Sequence, residues 1–415
     1  MNGFEPSSSS SSVAGNNARS DICIVGNGAV GKTAALALAQ AGLRVSLLAP
    51  PAPAPDPAAV RPDWDVRVYA LNHTARHLLS SVRVWEAMDA ERIAPVDNMS
   101  VFGDGDGEGQ RSKGQLSFDA YSARTDALAW IVEDRNLDAA LNAALKFANV
   151  RQVRGKAVAL RAGLDAAGLQ LDSGEILSAS LIVGADGGQS WVRGQCDIGL
   201  DYRAYGQRAI VTNFHCELPH HGIAHQWFSA QDGVIALLPL AGERVSLVWS
   251  APDALADRLM QLPLAELAQR LQQYAGAVLG QLTPLQPQVA KAFPLALIKP
   301  HAMIAQRVAL IGDAAHVVHP LAGHGMNLGF ADVAALVKIL SGREPQYDCG
   351  DSRVLRRYAR ARKEEVLLMQ LATDSLSRLF ASDAEPLRLA RNLGMNLVNS
   401  LPVLKRRLIG HALGK

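Results

Sequence analysis

The sequence predicts an α/β protein: a parallel-sheet domain assembled from separated stretches, a second β-sheet domain interleaved with it, and a helical tail. Three observations carry this. Glycine-punctuated strand-to-helix passages recur far apart, near 21–42, 180–193 and 307–340, strand-like stretches fill 200–298, and helix-period runs occupy 354–380 and 386–399. At 415 residues and 49% hydrophobic content, the chain exceeds the roughly 250–300 residues at which a single core stops growing, so at least two domains are expected.

The first passage opens on Asp21-Ile-Cys-Ile-Val25, an apolar strand, followed by Gly26-Asn-Gly28-Ala-Val-Gly31 and an Ala/Leu-rich run over 33–41 closed by Gly42. Gly26 permits a tight turn, Gly28 lets backbone N–H groups approach a pyrophosphate, and Gly31 lets the helix pack on the strand. Free N–H groups and the positive helix end both favour an anion there. The unit is Rossmann-like. One part is missing: the strand over 44–48 commonly ends in an acid that holds ribose hydroxyls, and Ala49 stands there instead, with Asp56 the first acid after it.

The second passage follows a hairpin pattern over 169–177, whose Ser173-Gly174 pair marks the turn. The strand over 180–183 then gives way to Gly184-Ala-Asp186-Gly187, with Ser190 and Arg193 close behind, which suits a chain crossing from one domain to the other. In the third, the buried-strand pattern over 307–311 ends at Gly312-Asp313, and Gly323-His324-Gly325-Met326-Asn327 opens a helix running to Leu340. A carboxylate at the strand end sits where a ribitol hydroxyl would lie. The N–H groups of 323–327 suit a ring that gains negative charge on reduction, an arrangement that fits a flavin better than a nicotinamide.

Composition narrows the remaining possibilities. Lys+Arg 41 against Asp+Glu 39 leaves a formal charge of +2, which argues against a nucleic-acid partner. Cys23, Cys196, Cys216 and Cys349 are scattered without a CxxC pair, so no disulfides are expected. Two histidine groups, His316/His319/His324 and His220/His221/His225, invite a metal, but the first is interrupted by Pro320 and Gly323 with no carboxylate or thiolate to complete it, and loop or core histidines are the commoner case, so no metal is expected. The Ser-rich residues 1–20 are expected to be disordered, without a secretory signal. No apolar run reaches the ~18 residues that a membrane span needs. The basic end Lys405-Arg-Arg407 of the tail admits either a solvated helix face or a peripheral membrane contact.

The string Gly312-Asp-Ala-Ala-His-Val-Val-His-Pro320-Leu-Ala-Gly-His324-Gly-Met-Asn327-Leu-Gly329 resembles the signature of the flavin-dependent ubiquinone-biosynthesis hydroxylases. These are single-component aromatic monooxygenases related to p-hydroxybenzoate hydroxylase. Arg67-Val-Tyr-Ala-Leu-Asn72, Glu133-Asp-Arg135-Asn-Leu137 and the stretches 233–240 and 246–250 extend the resemblance from about Asp21 to the C-terminus. There are two departures: Ala49 lacks the family's acid, and His324 stands where the family usually has Gln.

The resemblance implies FAD as cofactor and NAD(P)H as a transient reductant. It also implies dioxygen activated at flavin carbon 4a and hydroxylation of an electron-rich phenol ring, with a prenylated quinone precursor as substrate. Cofactor contacts are expected from Gly26, Gly28, Gly31, Arg67, Arg135, Asp186, Asp313, Pro320, Gly323, His324, Gly325, Met326 and Asn327. Gln226, Phe228, Leu237 and Pro239 are expected along the substrate pocket, and no residue presents itself as a catalytic base. The FAD-binding domain is expected over 21–95, 125–193 and 300–340, the substrate domain over 96–124 and 200–298, and a helical region over 341–415. Membership of a quinone-biosynthesis complex and a cytoplasmic location, peripheral on the inner face of the membrane, complete the picture. Two other readings stand beside it: a same-fold flavoenzyme acting on a small soluble aromatic or reducing an alkene, and a non-catalytic scaffold of a biosynthetic complex.

Overall fold

A computed structural model describes residues 19–51, 63–103, 114–285, 289–319 and 324–381, with backbone alone for 324 and 376–381. Ser20–Val25 is the central strand of a sheet in which it pairs in parallel with Val45–Ala49 on one side and Ile176–Gly184 on the other. Val150–Arg154 extends the sheet beyond Val45–Ala49, and Val308–Leu310 extends it beyond Ile176–Gly184, both again parallel. The strand is apolar from Ile22 to Val25 because both faces are covered there. Ile22 and Ile24 enter a core with the helices Ala29–Gln40 and Asp134–Phe147, and Cys23 and Val25 enter a second core on the opposite face. The hairpin pattern is present as Ala167–Leu171 against Ile176–Gly184, with Gly174 at φ +85° in the turn.

A second sheet runs in the order Leu282–Pro284, Leu200–Cys216, Arg244–Pro252, Gly233–Leu240, Ile223–Ser229, Asn98–Phe102, Gln115–Asp119, with Lys291–Pro300 also paired to Leu200–Cys216. Helices Asp253–Gln261 and Leu264–Leu279 cover its outer face, burying Trp249, Leu237, Ile235 and Phe214 completely. The second of these helices ends at Gly280 with φ +65°. A small sheet, Val68–Leu71, Ala129–Glu133 and Ala94–Val96, lies between the two domains and faces the inner side of the large one.

The third passage folds as Val308–Leu310, a single 3-10 turn at Gly312–Ala314, and the helix His324–Ser341. The last described helix, Ser352–Ala381, packs across His324–Ser341. No described helix is long and apolar enough to cross a membrane. Residues 1–18, Asp56, Pro320, Gly323, the run over 386–399 and Lys405-Arg-Arg407 lie outside the described residues.

Candidate functional site

The three glycine passages meet at the N-terminal end of helix Ala29–Gln40. Gly26 has φ +112°, and a Cβ there would fall 2.3 Å from the Ala185 carbonyl oxygen and 2.9 Å from the Asp186 nitrogen, so only glycine lets the first and second passages touch. A Cβ on Gly31 would lie 2.1 Å from the Gly26 oxygen, which explains the close seat of helix on turn. Val30 joins the third passage: a Cβ on Gly329 would stand 2.8 Å from Val30 Cγ2, and one on Gly312 would stand 3.2 Å from Val30 Cγ1. Gly28 differs, because a Cβ there meets nothing within 4 Å. It caps the helix in extended backbone without a side-chain hydrogen bond, leaving open space in front of unpaired N–H groups.

Asp186 stands beside this turn. Its Oδ2 accepts from Val192 N at 3.0 Å, whereas Oδ1 is buried without a partner. Arg193 donates to Ala314 O at 3.0 Å and to Gly188 O at 2.7 Å, latching the second passage onto the turn that carries Asp313. Asp313 is exposed to the cleft yet surrounded by protein. Desolvation pushes its carboxyl up, while His316 and Arg67 pull it back.

Asp313, Arg67, Asn72 and Asn327 form the polar end of a cavity of about 600 Å³ between the two domains. The small sheet supplies Val68, Ala70, Ala129 and Ile131, with Leu128 just before its central strand, and the inner face of the large sheet roofs it with Ala209, Val211, Ala224, Gln226, Ala236, Leu238 and Val248. Asn327 does not point its amide at a ligand. Its Nδ2 donates to Ala70 O at 2.8 Å and its Oδ1 accepts from Asn72 N at 2.9 Å, clamping the first turn of helix His324–Ser341 to the small sheet.

Not every expected residue comes to this place. Leu237 is fully buried in the outer core, and Pro239 shares its face on the same regular strand, so both point away from the cavity that Leu238 and Ala236 line. Phe228 shares the face of Gln226 but packs with Val101 in a satellite cluster beside Met99 and Phe118, which do line the cavity. Arg135 is exposed in the first turn of Asp134–Phe147 and is not among the cavity-lining residues. Met326 packs against the main core, and Gly325 has open space where a Cβ would be. Pro320, Gly323 and the His324 side chain lie outside the described residues.

Three features were not singled out in the sequence. Lys32, 5% exposed, pairs with Asp138. Tyr69 donates to Asp134 at 2.8 Å and has Arg67 5.5 Å from its ring centroid. Asp332 holds His316 and Arg362. Among the described residues no cluster of three metal-type ligands occurs.

These residues fit a flavin dinucleotide. Gly28 leaves the phosphate approach open, the orphaned Asp186 Oδ1 calls for a donor, and Asp313 faces the cleft where a hydroxyl would lie. With a β-sheet roof over an apolar cavity, the architecture is that of the single-component flavoprotein monooxygenases.

The FAD binding domain family matches residues 19–369. The chain is 35% identical to the 3-demethoxyubiquinol 3-hydroxylase of Escherichia coli, over 96% of this chain and 99% of that protein. It is also 35% identical to the ubiquinone hydroxylase UbiL of Rhodospirillum rubrum, over 95% and 89%. Among solved structures, the p-nitrophenol 4-monooxygenase PnpA of Pseudomonas putida superposes with a TM-score of 0.71 at 19% identity, covering 94% of this chain and 96% of that one. PqsL of Pseudomonas aeruginosa, solved with 2-aminobenzoylacetate, gives 0.73 at 22% identity, covering 91% and 100%. The last two similarities concern the fold. The chain belongs to the ubiquinone hydroxylase family of FAD-dependent class A monooxygenases.

Proposed function

We propose that this protein is an FAD-dependent, NAD(P)H- and dioxygen-using hydroxylase of the aromatic ring of a prenylated phenol in ubiquinone biosynthesis. The observation that carries this reading is the cavity. It is apolar on nearly every wall, roofed by small side chains, and open at one end to Asp313 and the first turn of helix His324–Ser341. Such a space accepts a ring bearing a hydrocarbon chain and presents it to the cofactor cleft.

When bound, FAD supplies the electron transfer from NAD(P)H and the activation of dioxygen. The protein holds, orients and dries the site. Backbone N–H groups at Gly28 would face the pyrophosphate, and Asp186 and Asp313 would accept from cofactor hydroxyls. The N-terminal turn of His324–Ser341 would stabilise negative charge on the ring system. Arg67, beside Asp313 on the cavity wall, adds a positive charge at the same end. Val211, Val248, Leu238, Met99 and Phe118 exclude water, which protects the reactive oxygen from wasteful decay.

A peripheral membrane location belongs to this reading, because a prenylated substrate resides in lipid. Leu367, Leu368 and Leu371 are exposed along the last described helix, which supports it. Flotation of the purified protein with liposomes tests that part. The catalytic part is tested by purifying the protein, measuring bound flavin by its visible absorbance, and following NAD(P)H oxidation with a short-chain prenylated phenol. Stimulated oxidation with hydroxylated product supports the reading. Bound flavin without any hydroxylated phenol overturns it.

A further inference from the structure

We propose that Gln226 is the positioning residue for the substrate's ring oxygen: its side-chain Oε1 accepts the phenol O–H and so fixes which ring carbon faces the cofactor cleft. The inference rests on the hydroxylase reading above and adds the group that orients the substrate within the cavity.

The argument begins with the roof. On the large sheet the cavity is lined by Ala209, Val211, Ala224, Ala236, Leu238 and Val248, and Gln226 is the one polar side chain among these roof residues. It is 5% exposed and lines the cavity, and no hydrogen bond within the described residues involves its side-chain amide. An amide that opens only onto an apolar cavity gains a partner when a ligand with a polar group enters there.

Its neighbours keep it free. Gln226 pairs across the sheet with Ala236 on one side and Val101 on the other, and Ala224 precedes it on the same face. None of these can hydrogen-bond through its side chain, and the two alanines leave room beside the amide. The polar groups at the opposite end are differently committed. Asn327 is bonded at both amide atoms to the small sheet, and Asn72 Oδ1 accepts from Ala75 N at 3.0 Å. Arg67 and Asp313 belong to the cofactor end.

The chemistry favours an amide here. A phenol O–H donated to a neutral oxygen gains electron density in its ring, which electrophilic oxygen transfer requires. A glutamate would bring a charge into an apolar cavity at a desolvation cost. With the ring oxygen held at the roof, the hydrocarbon chain occupies the apolar remainder, and the carbon presented to the cleft is set by geometry rather than by intrinsic reactivity.

The experiment compares the FAD-loaded wild type with Gln226→Leu, using a short-chain prenylated phenol and its O-methyl ether and measuring hydroxylated product per NAD(P)H consumed. The expected result is that Gln226→Leu retains FAD but loses about tenfold in product per NAD(P)H with the phenol. Wild type is expected to discriminate about tenfold between phenol and ether, and the variant to treat them alike. Wild type that hydroxylates the ether as efficiently as the phenol overturns the proposal without any variant, as does an unchanged product yield in Gln226→Leu. Wild type that hydroxylates neither compound overturns the functional reading itself, and with it this proposal.

Discussion

His316 Nε2 lies 2.6 Å from Asp332 Oδ2, and both side chains are sealed from solvent. The same Oδ2 accepts from Gly312 N at 2.9 Å, and Oδ1 accepts from Arg362 Nε at 2.7 Å. Burial alone would raise the Asp332 carboxyl, but His316 and Arg362 outweigh it and hold the group below its ordinary value. One carboxylate thus joins the turn carrying Asp313, the helix His324–Ser341 and the last described helix. Asp332→Asn leaves Arg362 without its main counter-charge in the interior, and a loss of about 3–5 kcal/mol is expected. Urea unfolding of the purified variant checks this, and a midpoint equal to wild type would remove the network from the account of stability.

Gly26 and Gly28, two residues apart in one turn, should behave oppositely on substitution. Gly26→Ala forces a Cβ into the Ala185 carbonyl at a positive φ, so the fold itself should suffer by at least ~2 kcal/mol. Gly28→Val projects into open space from extended backbone, so the chain should fold with a near-normal melting temperature yet emerge colourless. Thermal melts paired with the visible flavin spectrum separate the two outcomes.

Asp313→Ala removes an acceptor from the cleft without opening a core cavity. If the carboxylate bonds a cofactor hydroxyl, FAD affinity should fall by roughly 1.5–3 kcal/mol, about ten- to 150-fold. Titration of apoprotein with FAD measures it, and an unchanged dissociation constant would restrict Asp313 to a structural part in the turn.

His225 and His319 give the fold an acid sensitivity. Desolvation lowers both to about 4 from 6.5, with His220 adding to the shift at His225. Between those values the unfolded chain binds protons that the folded chain refuses, so stability falls as the pH drops through that window and is complete above it. Each group contributes about 1.4 kcal/mol per pH unit there. His319 bonds Gln207 at 3.2 Å and meets the Tyr205 ring edge-on at 4.7 Å, so His319→Gln should flatten the slope of unfolding free energy against pH. Denaturant titrations at several pH values between 4 and 7 test this.

The sequence made the meeting of the glycine passages legible and left the two faces of the roof strands half hidden, for a physical reason. Close backbone contact demands glycine, so Gly26, Gly31, Gly312 and Gly329 announce a meeting of chain segments wherever they fall. A strand covered on both faces carries no alternation to say which face is which, and Leu237-Leu238 is such a case: the outer helices claim Leu237 and the cavity takes Leu238. Asp332 was within reach, being the one acid in the run 324–341. Two aspects of Asn327 were beyond it: that both amide atoms are used, and that their partners lie some 255 residues away in sequence.

That amide has a consequence for how such a protein changes over time. Because Asn327 welds the first turn of its helix to the small sheet, the spacing between that turn and the cavity floor is settled during folding. Only the ceiling strands remain at liberty to vary. New preferences can be sculpted there, residue by residue, while the joint below is inherited intact.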